Sequence, residues 1–166
     1  MEYKNDKDIK DFFSRIMSYF MIVGLFFLIP GIIFSLELSS FLINIEDVNL
    51  NALSVITSLF MISYFIYGFS NITNAGILYE RKTHILPFVY IAFGILKVYL
   101  GILFVSHFGL IGLSFIAVLI STCLPVTFYF FSKSYFSFNP QVKTILKSIM
   151  IIFLLLLFKY YEFSNQ

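Results

Sequence analysis

Long apolar runs separated by short polar segments dominate the chain. Five of these runs approach or exceed the roughly 20 apolar residues that a helix needs to cross a bilayer. They lie at about residues 16–36, 53–78, 86–106, 109–131 and 144–161. The pattern therefore predicts an all-α protein, a polytopic bundle of about five transmembrane helices.

The connections between the runs are short, and they predict antiparallel neighbours. Residues 80–83 and 106–108 are expected to form tight turns, whereas the longest connection, 37–52, has room for a short interfacial helix. Asparagine is a favoured N-cap and proline a favoured first helical residue, so Asn139-Pro140 predicts an early start for the last helix. The predicted organisation is a cytoplasmic lead at 1–15, one bundle at 16–161 and a tail at 162–166.

Composition excludes a soluble domain. Only 12% of the residues are charged and 60% are hydrophobic, whereas soluble domains carry about 25% charged residues. The net charge of +2 is too small to indicate nucleic-acid binding. The single cysteine, Cys123, forms no intrachain disulfide. Residues 1–15 lack a signal peptide's basic segment and cleavage site, so we expect them to be retained.

The basic residues predict the orientation. With the N-terminus in the cytoplasm, nine of them lie inside, only Lys159 lies at an outer end, and Lys97 falls within a span. The 37–52 loop has three acidic residues and no Lys or Arg. The positive-inside rule then places the N-terminus inside and the C-terminus outside a bacterial inner membrane. The nine inner residues are Lys4, Lys7, Lys10, Arg15, Arg81, Lys82, Lys133, Lys143 and Lys147.

Lys97 is the first candidate functional residue, because it lies near the middle of the third run. A lysine at bilayer depth costs about 2.5–3.5 kcal/mol, so it normally faces a cavity or a partner. Gly94 and Gly101 share its helix face and allow a neighbouring helix to approach. Lys97 is either a contact for an anionic substrate, a titrating group in ion coupling, or a structural lysine that snorkels or bonds backbone carbonyls.

A polar stripe follows one face of the second run. Tyr64, Tyr67, Asn71 and Asn74 recur every three or four residues, and this spacing places them on one side of a helix. Such a stripe suits either a hydrated path that binds sugar hydroxyls or a set of interhelical hydrogen bonds, worth about 0.6 kcal/mol each. We expect the stripe as a whole to line a cavity.

The remaining motifs favour packing over catalysis. Ser114, Ala117, Ser121 and Pro125 predict a close-packing face on the fourth helix. His84 and His107 lie at opposite membrane edges, where capping or interfacial roles are typical. The sequence contains no HExxH, phosphate-binding glycine loop, CxxC or Ser-His-Asp pattern. We therefore expect no catalytic residues, metal ligands or cofactor, and no enzyme activity.

The segment from Gly76 to Ser121 carries a family resemblance. It contains a small residue at a helix end (Gly76), a Lys82-Thr83 turn, a central polar residue (Lys97) and a Phe108-Gly109 turn that leads through Gly112 into a helix rich in small residues. This order resembles the C-terminal half of Wzx-type polysaccharide (O-antigen) flippases, in the multidrug/oligosaccharidyl-lipid/polysaccharide exporter superfamily. The family position that aligns with Lys97 is usually asparagine, so the role of Lys97 is inferred from the residue itself.

The resemblance implies a function. Such flippases move undecaprenyl-diphosphate-linked oligosaccharide to the periplasmic leaflet by alternating access between two lobes. Five spans correspond to most of the second lobe, so we expect the first lobe to come from a longer chain or a partner subunit. Lys97 would then contact the diphosphate, and Tyr64, Tyr67, Asn71 and Asn74 the sugars. The alternatives are another exporter of this superfamily, for a drug or a lipid precursor, and a membrane scaffold subunit without transport.

Overall fold

The computed structural model describes residues 6–42, 49–79 and 81–133, together with Met150 and Leu154. Five helices lie in these three ranges: α1 (Asp6–Ile33), α2 (Ser35–Leu42), α3 (Leu50–Thr73), α4 (Ala75–Tyr79) and α5 (Ile85–Lys133). Within these ranges every regular element is helical, which confirms the predicted all-α class. Apart from Met150 and Leu154, which are both helical, the predicted fifth span and the tail lie outside the described residues.

Three helical stretches, Asp11–Ile33, Leu50–Tyr79 and Ile85–Lys133, are long and apolar enough to cross a membrane. Their surfaces are apolar as well. Phe26, Phe27 and Phe88 are all more than 70% exposed, and large contiguous apolar surface is unusual on a soluble monomer. These stretches are therefore compatible with a membrane protein.

Helix α5 is a hairpin of two antiparallel arms. Gly109 has φ 61° and ψ −149°, a backbone conformation that is essentially restricted to glycine. It divides the 49 residues of α5 into arms 85–108 and 110–133, each about 36 Å long at 1.5 Å per residue. The arms pack closely, because a Cβ added at Gly101 would lie 3.0 Å from Leu113 and one at Gly112 would lie 2.7 Å from the Phe104 carbonyl oxygen.

The predicted turn at 106–108 is therefore placed too early. Those residues remain helical, and the chain reverses at Gly109. The physical reason is the backbone conformation, which glycine adopts at no steric cost and other residues avoid. The two runs predicted at 86–106 and 109–131 correspond to the two arms of α5.

Helix α3 lies between α1 and the second arm of α5. Phe20 of α1 lies beside Gly68 of α3, and Gly31, later in α1, lies beside the earlier α3 residue Met61. Helices α1 and α3 are therefore antiparallel. The second arm of α5 runs parallel to α3, because Ser63 contacts Ser121 and, further along both helical stretches, Gly76 at the start of α4 contacts Ser132. One apolar cluster lies between α1 and α3 and a second joins α4 to both arms of α5: Leu28, Ile32, Ile62 and Phe65, and Ile77, Val89, Leu124 and Phe128.

The boundaries of the first span differ from the prediction. Helix α1 begins at Asp6, so the described part of the predicted lead is continuous with it, and the helix ends at Ile33, three residues after Pro30. Helix α2 then covers residues 35–42, so part of the predicted 37–52 loop is helical. Ser35 Oγ lies 2.7 Å from Ser54 Oγ, which fastens α2 to the start of α3.

The turn predicted at 80–83 lies between α4 and α5. The Lys82 N–H donates to the Ile77 carbonyl (3.0 Å) and the Arg81 N–H to the Leu78 carbonyl (3.1 Å). This pair of bonds is a Schellman motif, in which the residue after the helix takes a left-handed conformation and is usually glycine. Here that residue is Arg81, with φ 57°. The helix therefore ends in a defined turn with a basic residue at its most constrained position.

Candidate functional site

The polar stripe of α3 divides into a surface part and a buried part. Tyr64 is 72% exposed, Tyr67 is 39% exposed, and Asn71 is exposed as well. Asn74 is only 6% exposed. The structure thus leaves three of the four predicted side chains on the bundle surface and places the fourth in the packed interior.

Lys97 lies about midway along the first arm of α5, and its side chain is exposed. The two glycines on its face have different surroundings. Gly101 is buried against Leu113, whereas a Cβ at Gly94 would meet nothing within 4 Å. The predicted close packing of this face is therefore found at Gly101 and is absent at Gly94. Lys97 therefore lies between the closely packed Gly101 and Gly94, beside which there is open space.

Tyr90 connects the polar stripe to the face that carries Lys97. Its ring centroid lies 6.4 Å from that of Tyr67 on α3, with 50° between the ring planes. Tyr90 precedes Lys97 by seven residues, about two helical turns, so both lie on one face of the first arm. An edge contact with Phe128 at 5.1 Å holds the Tyr90 ring against the second arm.

We call this set of side chains the polar furrow. Three of its members belong to α3 and two to the first arm of α5, and the Tyr67–Tyr90 contact joins the two helices. Tyr90 was not a sequence candidate, and its two-turn spacing from Lys97 is the one signal that indicates it. The furrow combines a cationic group, phenol hydroxyls and an amide: Tyr64, Tyr67, Asn71, Tyr90 and Lys97.

The predicted close-packing face of the second arm is confirmed, because Ser114, Ala117, Ser121 and Pro125 are all buried. Ser63 of α3 packs onto it. The Ser63 hydroxyl donates to the Ala117 carbonyl (3.1 Å) and lies 2.8 Å from Ser121 Oγ. Since Ser63 has one hydroxyl proton, Ser121 is the donor in the second bond. Two satisfied hydroxyls therefore join α3 to the second arm.

A second polar region lies where α3 meets α4. The Gly76 N–H donates to Ser132 Oγ of the second arm at 3.1 Å. On the same stretch, Ser70 Oγ and Asn74 Oδ1 are buried and have no hydrogen-bond partner. This region is separate from the polar furrow, because Ser70 and Asn74 are buried in the packed interior, whereas four of the five furrow residues are exposed and Tyr90 is half-buried.

The other candidates stand apart from both regions. His84 and His107 are exposed near opposite ends of the first arm of α5, and Cys123 is an exposed free thiol. Across the described ranges, no three His, Cys, Asp or Glu side chains are grouped closely enough to hold a metal ion.

The described residues define a class: an α-helical bundle with three helical stretches long and apolar enough to cross a membrane, and with the polar furrow at its surface. Comparison with protein-family models, curated proteins and solved structures gives no match to this chain.

Proposed function

We propose that this chain is part of a membrane transporter that flips undecaprenyl-diphosphate-linked oligosaccharide across the bacterial inner membrane for surface polysaccharide synthesis. The observation that carries the proposal is the exposure of Lys97 on the same side of the bundle as the α3 stripe. A cation and several hydroxyl groups then share one face of an apolar bundle. The resemblance of residues 76–121 to Wzx-type flippases supports the same function.

The chemistry of the furrow suits this substrate. A diphosphate carries negative charge and many acceptor oxygens, and a lysine ammonium provides three donors and a point charge. Tyr64, Tyr67 and Asn71 add hydroxyl and amide groups that match sugar hydroxyls, and Tyr90 joins them through Tyr67. An exposed lysine at bilayer depth costs about 2.5–3.5 kcal/mol without a partner. A bound diphosphate offsets that cost.

We propose five spans in the whole bundle. Helix α1, helices α3 and α4 together, and the two arms of α5 account for four, and residues 144–161 form the fifth. The distribution of Lys and Arg supports a cytoplasmic N-terminus, with the Arg81 turn also on the cytoplasmic side. In this orientation the Gly109 reversal faces the periplasm.

A second lobe completes the proposed transporter. In alternating access, two lobes rock about a substrate site that lies between them. The polar furrow is the surface that would face that site, because it brings a cation, phenol hydroxyls and an amide together on two neighbouring helices. The missing lobe belongs to a longer polypeptide or to a partner subunit.

The test combines binding and export. The purified full chain is titrated with an undecaprenyl-diphosphate-linked oligosaccharide, as wild type, Lys97→Arg and Lys97→Ala. Loss of a charge-assisted contact of about 1.5–3 kcal/mol weakens binding roughly 10- to 150-fold in the alanine variant, while arginine retains most of the affinity. In the host cell, we expect Lys97→Ala to reduce surface polysaccharide export.

The control is the protein level in the membrane, which must match that of wild type. Full export with Lys97→Ala at a normal level would reject the proposed role of Lys97. The two alternative functions predict different experimental results. Transport of a drug or another lipid precursor without binding of the oligosaccharide identifies a different exporter. A deletion strain that loses assembly of other membrane proteins, while flipping continues, identifies a scaffold subunit.

A further inference from the structure

The turn between α4 and α5 holds Arg81 in a backbone conformation that favours glycine. The Arg81 and Lys82 N–H groups donate back into α4, and the Ile85 N–H donates to the Lys82 carbonyl at 3.2 Å. Arg81 has φ 57°, a left-handed conformation that is disfavoured for a residue with a Cβ. Residues kept in such conformations cluster at functional sites. An exposed arginine at this position therefore indicates a role for its guanidinium group.

Lys133 lies at the same end of the bundle as Arg81. The Gly76 N–H donates to Ser132 Oγ, which sets the start of α4 beside the end of the second arm. Arg81 follows Gly76 by five residues, and Lys133 follows Ser132 by one. These offsets place the two cations about one helical turn apart along the bundle axis. Both side chains are exposed.

Exposed apolar side chains accompany both cations. Arg81 lies just beyond one helical stretch that is long and apolar enough to cross a membrane, and Lys133 ends another. Leu78 and Tyr79, both exposed, come just before Arg81. Phe130 is also exposed and precedes Lys133 by three residues, which places it on the same face of the second arm. The surroundings of both cations therefore match a ligand with a charged part and an apolar part.

We propose that this end of the bundle binds anionic phospholipids, with Arg81 and Lys133 contacting headgroup phosphates and Leu78, Tyr79 and Phe130 contacting acyl chains. We call these five residues the anionic-lipid rim. The arginine fork matches two oxygens of one phosphate, and the lysine adds a point charge. Basic residues at the cytoplasmic ends of spans attract the anionic lipids of that leaflet. The inference rests on the proposed membrane orientation and not on the transported substrate.

The distribution of charge favours anionic lipids over other ligands. The sequence Glu80-Arg81-Lys82 together with Lys133 carries a net charge of +2. In the described ranges, the opposite end, formed by α2 and the reversal of α5, has Glu37 and neither Lys nor Arg. Phosphatidylethanolamine carries an ammonium group that offsets its phosphate, and a free phosphate ion leaves the apolar side chains without a contact. An anionic phospholipid satisfies both the cations and the apolar side chains.

Thermal unfolding of the purified full chain in an uncharged detergent tests the rim. Phosphatidylglycerol, phosphatidylethanolamine or inorganic phosphate is added at equal phosphate concentration and constant ionic strength. A ligand present at ten times its Kd shifts the midpoint of a chain of this size by roughly 3–6 °C. We expect phosphatidylglycerol to produce this shift and the other two additions to produce a clearly smaller one. An equal shift with either of them would overturn the proposal.

Arg81→Gly separates lipid binding from stability. Glycine relieves the left-handed strain, so the midpoint without lipid should rise, while loss of a charge-assisted contact weakens lipid binding by about tenfold or more. At the same lipid concentration, the shift then falls to about a third of the wild-type value or less. Arg81→Lys keeps a cation and should retain most of the shift. A purely structural role of Arg81 would change the midpoint without lipid and leave the shift unaltered.

Two further variants locate the effect. Lys133→Gln removes the second headgroup contact and should reduce the shift in the same way. Lys97→Gln is the matched control, because it also removes one exposed cation, but from the middle of the first arm. The control should retain the full phosphatidylglycerol shift. A full shift in the double variant Arg81→Gly/Lys133→Gln would overturn the proposal.

Direct binding to the wild-type chain covers variants that fail to fold. Radiolabelled phosphatidylglycerol is bound in detergent and displaced with unlabelled lipids. Saturable binding that phosphatidylglycerol displaces and phosphatidylethanolamine does not supports the rim, and absence of saturable binding rejects it. No readout contains the oligosaccharide, so failure here leaves the proposed transport function unaffected, and the reverse also holds.

Discussion

The rings of Phe20 and Phe65 lie parallel, with centroids 5.7 Å apart and 6° between their planes. Each ring also covers a glycine of the opposite helix. A Cβ added at Gly24 would lie 2.1 Å from the Phe65 ring, and one at Gly68 would lie 2.3 Å from the Phe20 ring. The two helices therefore interlock through a reciprocal exchange of aromatic rings and glycines.

This interlock predicts the effect of adding a methyl group. We expect Gly24→Ala to destabilise the bundle by about 1–3 kcal/mol, because overpacking displaces the Phe65 ring. Thermal unfolding in detergent measures the change. The smaller side chain of Phe65→Leu leaves space for the added methyl group. Gly24→Ala should therefore lower the free energy of unfolding less in the Phe65→Leu background than in wild type. Strict additivity of the two changes would argue against the ring as the cause.

Gly109 and Gly94 form a matched pair for testing backbone strain. A Cβ meets nothing within 4 Å at either position, but only Gly109 has a positive φ. We expect Gly109→Ala to cost roughly 1–3 kcal/mol through strain. Gly94→Ala should gain up to about 1 kcal/mol through helix propensity. Unfolding midpoints of the two variants check the prediction, and similar effects at both positions would contradict it.

Arg81 predicts a stabilising substitution. It adopts φ 57° at the end of α4, and a left-handed conformation costs a residue with a Cβ about 1–2 kcal/mol. Arg81→Gly should therefore raise the unfolding free energy by up to about 1 kcal/mol. Thr83→Gly, in the same turn but without a positive φ, serves as the control and should not be stabilising. Equal stabilisation by both variants would mean that the effect does not come from the positive φ of Arg81.

The Ser63–Ser121 contact predicts a measurable coupling between α3 and the second arm. Interhelical hydrogen bonds in membrane proteins average about 0.6 kcal/mol and reach about 1.7 kcal/mol. We expect Ser63→Ala to fall at the upper end, because Ser63 bonds both Ser121 and the Ala117 carbonyl. A double-mutant cycle with Ser121→Ala isolates the hydroxyl pair. A coupling energy of zero would mean that the 2.8 Å contact contributes nothing.

The proposed orientation is testable with cysteine labelling. The chain has one cysteine, so Cys123→Ala provides a background for new thiols. In intact cells, a membrane-impermeant thiol reagent should label His107→Cys, near the Gly109 reversal. It should reach Arg81→Cys only after the membrane is opened. Labelling of Arg81→Cys in intact cells would place the N-terminus outside.

The sequence predicted the lengths of the helices better than their contacts. The run at 53–78 coincides closely with Leu50–Tyr79, because hydropathy measures how much continuous chain suits lipid. The position of the reversal at Gly109 could not be read from hydropathy, since Ser106 and His107 are polar yet helical. Their polarity reflects the end of an arm and carries no information on backbone angles.

The candidate site shows the same division. The periodicity of the α3 stripe and the position of Lys97 are properties of single helices, so they were visible in the sequence. The Tyr67–Tyr90 contact joins two helices. The spacing of residues along one helix could not predict it. The burial of Asn74, one turn beyond the exposed Asn71, depends on the second arm of α5 packing against that end of α3.

If the chain spans the membrane as proposed, the reversal at Gly109 has a consequence for how it would enter the bilayer. Only one residue separates two apolar arms, so the tip of the hairpin carries very little polar chain, mainly Ser106 and His107. Transfer of that tip across the hydrocarbon layer is correspondingly inexpensive, since no long hydrophilic loop must be desolvated. The two arms are therefore suited to insert during biogenesis as one preformed unit, with the translocation machinery carrying a tip of two polar side chains.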